Sequence, residues 1–276
     1  MKLATIRLGG TTRAVRVEDT GYVDLGYADV GALLAQDGWR DHAASATGAL
    51  HPIEGTGLAP VVPHPGKILC VGLNYRNHIL EMGRELPDHP TLFAKYTEAL
   101  IGPHDTINLA PESENVDWEA ELALVIGATV RRATQAQATK AIAGFTVMND
   151  VTMRDWQYRS AQWLQGKSFE ATTPLGPVLV TPEDLPGGAN PALKITAELD
   201  GEVIQSADTS GLVFGPVALV QYVSTILTLR PGDVIATGTP SGVGHARKPA
   251  RYLVDGQTLV TEIAGIGRLE NVARAS

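Results

Sequence analysis

The chain carries one cysteine in 276 residues, Cys70, so no internal disulfide can form and stability must come from a packed core. It also lacks a basic cluster. "RR" at 131 and "HARKPAR" at 245 stand alone against a formal charge of −8, from 30 acidic and 22 basic side chains. That balance excludes nucleic acid or an anionic membrane surface as the main expected partner. The opening "MKLATIRLGG" has neither the apolar core of a signal peptide nor Arg/Ser-rich transit character. The nearest approach to a membrane span, "GLVFGPVALVQYVSTILTL" at 211–229, comes close to the ~20 residues a bilayer requires. Pro216, Gln221, Ser224, Thr225 and Thr228 interrupt it, while Leu219, Val220, Val223, Ile226 and Leu227 recur at helical spacing. The expectation is a cytoplasmic enzyme or binding protein with a buried amphipathic helix beginning near Pro216. Internal repeats, a P-loop, a Rossmann glycine turn, a cysteine pair and His-Glu-x-x-His are all missing.

What is present, at 44% hydrophobic and 19% charged, suffices for one large globular unit or two modest ones. "KLATIRL", "TRAVRVE" and "GYVDL" form a small β-meander pattern, and "ADVGALLAQDGW" reads as a helix. The proline-rich "LAPVVPHPGK" reads as a linker, which predicts a small N-terminal α/β domain over 1–62 and a second unit over 63–276. In the second unit strand-like runs dominate, and Asp200-Gly201 in "ITAELDGEVIQ" suits a type I′ hairpin. Strands outnumber helices without regular β-α alternation, which predicts an α+β, mainly β architecture.

Chemistry concentrates in a few stretches. As a strand, "VDWEAELALVIG" at 116–127 puts Trp118, Ala120, Leu122, Leu124 and Ile126 on one face, with Glu119, Glu121, Ala123 and Val125 on the other. The carboxylates then lie ~6.6 Å apart along the strand, and their repulsion is ~2.5 kcal/mol at an effective dielectric of 20. Either water or a cation must compensate. Asp150, ending the run "GFTVMND", is a third carboxylate that would suit hard Mg²⁺ or Mn²⁺, or else a separate surface group. In "NYRNHILE", His78 and Glu81 share a helix face, as a general base with its orienting carboxylate or as an ordinary surface pair. Lys167, in "GKSFEATTPLGP", is either a fixed cation for an oxyanion or a solvated loop lysine. The Gly/Thr-rich "DVIATGTPSGVG" offers amides and hydroxyls to an anion.

In their order along the chain, "VGLNYRNHILEM", "PTLFAKYTEALIGP", "VDWEAELALVIG", "NDVTMRDWQ", "GKSFEATTPLGP" and "GDVIATGTPSGVG" resemble the fumarylacetoacetate hydrolase family from about residue 63 onward. The resemblance implies a mixed β-roll/β-sandwich catalytic domain behind a small N-terminal domain, usually dimeric. It implies a Mg²⁺ or Mn²⁺ held by Glu119, Glu121 and Asp150, a dyad of His78 and Glu81, and an active-site Lys167. Arg154, Gln157 and Thr239 fall on substrate-contact positions. The implied reaction is hydrolysis of the C–C bond of a 2,4-dioxo acid, an acylpyruvate, to pyruvate and a carboxylic acid through an enolate. Members similar at these positions instead decarboxylate oxaloacetate, or isomerise or hydrate a ring-cleavage 2-oxo-alkenoate of aromatic catabolism. A non-catalytic binder of a metal or 2-oxo acid is the rival from another class. The stretch "NHILEMGRELPDHP" is expected to order on substrate binding.

Overall fold

The computed structural model describes residues 1–81 and 85–275, apart from the side chains of His78 and Glu81. The dyad and the expected ordering of its loop therefore lie outside the described residues. The backbone of the dyad stretch is helical over Arg76–Glu81.

Two sheets carry the fold. At the centre of the larger one, the strand Ala120–Ile126 pairs antiparallel with Ile142–Asn149, in the register Ala120↔Asn149 through Leu124↔Phe145. On one side follow Val234–Ala236, the parallel strand Ile68–Gly72, and Thr91–Lys95. On the other lies Thr173–Val180, against which Lys2–Leu8 pairs through Lys2↔Val180 and Leu3↔Leu179. The meander Lys2–Leu8, Thr11–Glu18 and Gly21–Asp24 thus extends the same sheet, and no separate N-terminal sheet stands before residue 62 among the described residues. Five further strands form the second sheet, with Lys194–Leu199 between Glu202–Asp208 and Thr258–Ile263. Its hairpin turns through Asp200 and Gly201 at φ 51° and 84°, the left-handed pair a type I′ turn needs. This mainly β architecture with mixed pairing is the expected fold class.

Alternation along Ala120–Ile126 feeds two cores. Trp118, Leu122, Leu124 and Ile126 pack with Ile195, Leu199 and Leu259 of the second sheet. Ala123 and Val125 face the other way, with Leu33, Leu34, Trp39 and Val61. Each large apolar side chain buried in this way contributes about 1.5–3 kcal/mol. Helical spacing in 211–229 resolves into the helix Pro216–Ile226, with proline in its first turn, where the missing N–H costs nothing. "ADVGALLAQDGW" is split into Val30–Leu34, capped by the Asp29 carboxylate on the Ala32 amide, and Trp39–Ser45. Gly38 at φ 70° separates them, a conformation no continuous helix can contain.

Candidate metal centre

The expected strand over 116–127 is broken at Trp118–Glu119, between Val116–Asp117 and Ala120–Ile126, and Glu119 from the break and Glu121 from the central strand meet a cavity of about 200 Å³. The pairing of Ala120 with Asn149 delivers Asp150 to the same spot. Asp150 donates its amide to the Glu119 carbonyl at 2.8 Å, and the Asn149 side chain accepts the Glu119 amide at 2.9 Å. One oxygen from each of Glu119, Glu121 and Asp150 lies within 4.8 Å of the others, and all three residues are buried. A water-facing polar strand is thereby excluded.

Three buried carboxylates need positive charge, and the chain supplies part of it. Lys167, buried in the short helix Leu164–Lys167, donates from Nζ to Glu119 Oε2 at 2.7 Å and Asp150 Oδ2 at 2.8 Å. Lys95 Nζ donates to Asp150 Oδ1 at 2.7 Å and to the Val151 carbonyl at 3.1 Å. Arg154 places Nη2 2.7 Å from Glu119 Oε1 and donates from Nε to Asp117 Oδ2 at 2.8 Å and from Nη1 to Gln157 Oε1 at 2.9 Å. Glu121 receives only the Gly238 amide, at 2.7 Å from Oε2, among its described partners.

Ionisation follows from that distribution. Burial first, then the neighbouring Asp150 and Glu119, push the Glu121 carboxyl well above the usual range, and Lys167 with the Gly238 amide offsets only part. Burial also acts against ionised Asp150, but Lys167 and Lys95 outweigh it and hold that carboxyl below its ordinary value. Lys167 is likewise penalised by burial, yet Asp150 and Glu119 hold it above an ordinary lysine, so it stays an ammonium. The site is therefore short of positive charge at Glu121. An oxygen-only, carboxylate-rich donor set with that deficit fits a hard divalent cation such as Mg²⁺ or Mn²⁺.

Among the described site positions expected from sequence, Glu119, Glu121, Arg154, Gln157, Lys167 and Thr239 all line the cavity. Asp150 does not line it and reaches it through Lys167, whose ammonium donates to it. The Thr239 hydroxyl accepts from Gln205 Nε2 at 2.9 Å, which leaves its own proton for a ligand. Amides of the Gly/Thr-rich stretch and of the residue after it turn to the protein's own carboxyl groups: Gly244 and His245 donate to Asp117 at 2.6 and 3.0 Å, as Gly238 does to Glu121. Trp163 forms the wall opposite. It stacks edge-on with Phe93 at 5.4 Å and lies where a Cβ at Gly72 would stand 2.4 Å from it, so a larger residue at 72 would displace the indole.

Sequence reasoning missed Lys95, Asp117 and Gln205. Lys95 carried a usable signal, a lone charge inside the strand-like "TLFAK". Asp117 lies two residues before Glu119 and is joined to it only through Arg154, and Gln205 comes from the second sheet, so neither could be assigned without the fold.

The sequence pattern of the fumarylacetoacetate (FAA) hydrolase C-terminal family matches residues 67–274. The chain belongs to that family. It is 44% identical over 217 residues to the mitochondrial oxaloacetate tautomerase Fahd2a of Rattus norvegicus, a match covering 78% of this chain and 68% of the relative. Among solved structures, the fumarylacetoacetate hydrolase of psychrophilic Exiguobacterium antarcticum superposes with a TM-score of 0.87 at 31% identity over the whole of both chains. A 5-carboxymethyl-2-hydroxymuconate delta-isomerase from Mycobacterium smegmatis does so at 0.83 and 30%, again over both whole chains. This family member is therefore an enzyme-fold protein with an acidic triad able to hold a divalent metal. Among the described residues no helix is long and apolar enough to cross a membrane.

Proposed function

We propose that this protein interconverts the enol and keto forms of a short 2-oxo dicarboxylic acid of the oxaloacetate kind, with a divalent metal as cofactor. The observation that carries the reading is Lys167, a fixed ammonium between Glu119 and Asp150 at the wall of the cavity. The tautomerase activity of the rat relative supports it. So does the size of the cavity, about 200 Å³, against roughly 300–1,000 Å³ for drug-sized sites.

Glu119, Glu121 and Asp150 would hold the metal, which supplies Lewis acidity to a 2-oxo group and its carboxylate. Lys167 donates a hydrogen bond to the oxygen that gains charge as the enol O–H proton leaves. Thr239 donates its hydroxyl proton to the substrate carboxylate, and Gln157, held by Arg154, orients the same group. His78, oriented by Glu81, delivers a proton to C3 to complete the keto form. The enol O–H proton passes to solvent water, and His78, reprotonated from solvent, supplies the one that arrives at C3, so no proton is gained or lost and no co-reactant is needed.

A second reading, hydrolysis of an acylpyruvate, draws on the His78-x-x-Glu81 pattern and on the helix Arg76–Glu81, which follows the cavity residues Val71, Gly72 and Leu73. Here His78 takes a proton from water, hydroxide attacks the C4 carbonyl, and the C3–C4 electron pair leaves as pyruvate enolate. The experiment is one panel. Loss of enol absorbance from freshly dissolved enol-oxaloacetate, pyruvate release from oxaloacetate, and loss of acetylpyruvate are followed with Mg²⁺ and with EDTA. EDTA-sensitive enol loss without pyruvate is expected. Acetylpyruvate cleavage at a higher kcat/KM would move the assignment to hydrolysis, and no EDTA-sensitive turnover on any compound would end both readings.

A cytoplasmic homodimer belongs to the same proposal, as does a division of the chain near residue 62 into an N-terminal part and a catalytic domain over 63–276 that share one sheet and one core. The family resemblance supports the dimer, and the match beginning at residue 67 supports the division. Light scattering, cell fractionation and expression of 63–276 alone test its three parts.

A further inference from the structure

The cavity holds a basic group that the chemistry above does not use. His245 lines it together with Arg154, Lys167, Gln157 and Thr239. Arg154 and Lys167 are each committed to two carboxylates, Arg154 to Asp117 and Glu119, and Lys167 to Glu119 and Asp150. His245 is different. Its Nδ1 lies 2.8 Å from the neutral Tyr252 hydroxyl, and it has no carboxylate partner among the described residues. The side chain is exposed at the cavity rim, yet it is held in place. Its ring sits between Tyr158, at 5.4 Å and 33°, and Tyr252, at 6.2 Å and 35°. Its backbone amide donates at 3.0 Å to Asp117, the same carboxylate that receives Arg154 Nε. One buried acid therefore fixes both the inner guanidinium and the backbone that carries the outer imidazole.

We infer that His245 is a substrate-binding residue that receives the distal carboxylate of a dicarboxylic 2-oxo acid. With Nδ1 accepting from the Tyr252 hydroxyl, the ring proton sits on Nε2, leaving that nitrogen as a donor. The inner end of the substrate meets the acidic triad, Lys167 and Thr239. Its outer carboxylate needs a donor that no acid of the protein already occupies, and His245 supplies one. Charge-assisted hydrogen bonds of this kind are roughly twice as strong as neutral ones, so the contact would select a second carboxylate over an ester or alkyl group.

The inference rests on the 2-oxo dicarboxylate reading, so binding is measured instead of turnover. Calorimetric titration of Mg²⁺-loaded protein compares oxaloacetate with its C4 methyl ester, which keeps the 2-oxo acid end and lacks the outer charge. His245→Phe is expected to weaken oxaloacetate about tenfold, the effect of losing one such contact, and the ester by less than about twofold. His245→Gln, which keeps a neutral donor, should fall between wild type and His245→Phe. Tyr252→Phe should act in the same direction through the freed imidazole. Equal weakening of both ligands, or of neither, overturns the role of His245 and leaves the proposed reaction standing. Failure of the wild-type protein to bind either compound removes both readings.

Discussion

The ammonium of Lys95 lies 2.7 Å from Asp150 Oδ1, and both side chains are fully buried. Asp150 receives Lys167 on its other oxygen, so it is bound on both sides before any metal arrives. Removing one partner of a buried pair leaves an uncompensated charge, at a cost of about 3–5 kcal/mol. Asp150 keeps Lys167, so Lys95→Met is expected to lower stability in urea unfolding, by less than that amount. Lys95→Met combined with Asp150→Asn should recover part of the loss, because the stranded charge goes too. A single variant as stable as wild type would contradict the pairing.

The raised carboxyl of Glu121 makes metal binding pH-dependent. Folded metal-free protein holds that proton more tightly than the unfolded chain, so its stabilising contribution is full below the ordinary glutamate range. It is lost as pH rises through the raised value. A cation binds only the deprotonated form, so the increase in Tm given by Mg²⁺ should grow with pH across that window. The lowered carboxyl of Asp150 acts below the ordinary aspartate range, outside the window. In Glu121→Gln both the metal-free slope and the Mg²⁺ response should vanish. A pH-independent Mg²⁺ shift in the wild-type protein would sink the argument.

Gly238 carries two demands. Its φ of +103° strains any other residue, and a Cβ there would stand 2.9 Å from the Val71 carbonyl. Its amide also donates to Glu121. Gly238→Ala should cost about 1–3 kcal/mol of stability and weaken Mg²⁺ binding by moving that amide. Gly201→Ala provides the control, since φ is +84° and nothing lies within 4 Å of the added Cβ. It should lose stability and keep its metal affinity, both read by calorimetry.

Asp117 joins Arg154 to the 244–245 turn, accepting from Arg154 Nε and from the Gly244 and His245 amides. Asp117→Asn is nearly isosteric and removes the charge. Hydrogen exchange at the Gly244 and His245 amides should rise severalfold, because each loses a charge-assisted partner. Unchanged protection there would show that the turn holds without Asp117.

The sequence alone determined the family, the mainly β class, the helix at Pro216, the hairpin at Asp200-Gly201 and the three carboxylates. Each is written in local terms, as a period, a turn pair or an ordered set of motifs. Within Ala120–Ile126 the alternation that separates Glu121, Ala123 and Val125 from Leu122, Leu124 and Ile126 held because both faces meet cores of different composition, while the break at Trp118–Glu119 was not legible in it. Tertiary structure decided the rest. Lys95 and Lys167 became buried counter-charges only because a strand and a short helix from different parts of the chain bring them to Asp150. Gln205 reached Thr239 from a second sheet, and the N-terminal meander joined the main sheet because the Thr173–Val180 edge was open to it. Charge balance in a buried site is a sum over neighbours in space, and no window along the chain contains that sum.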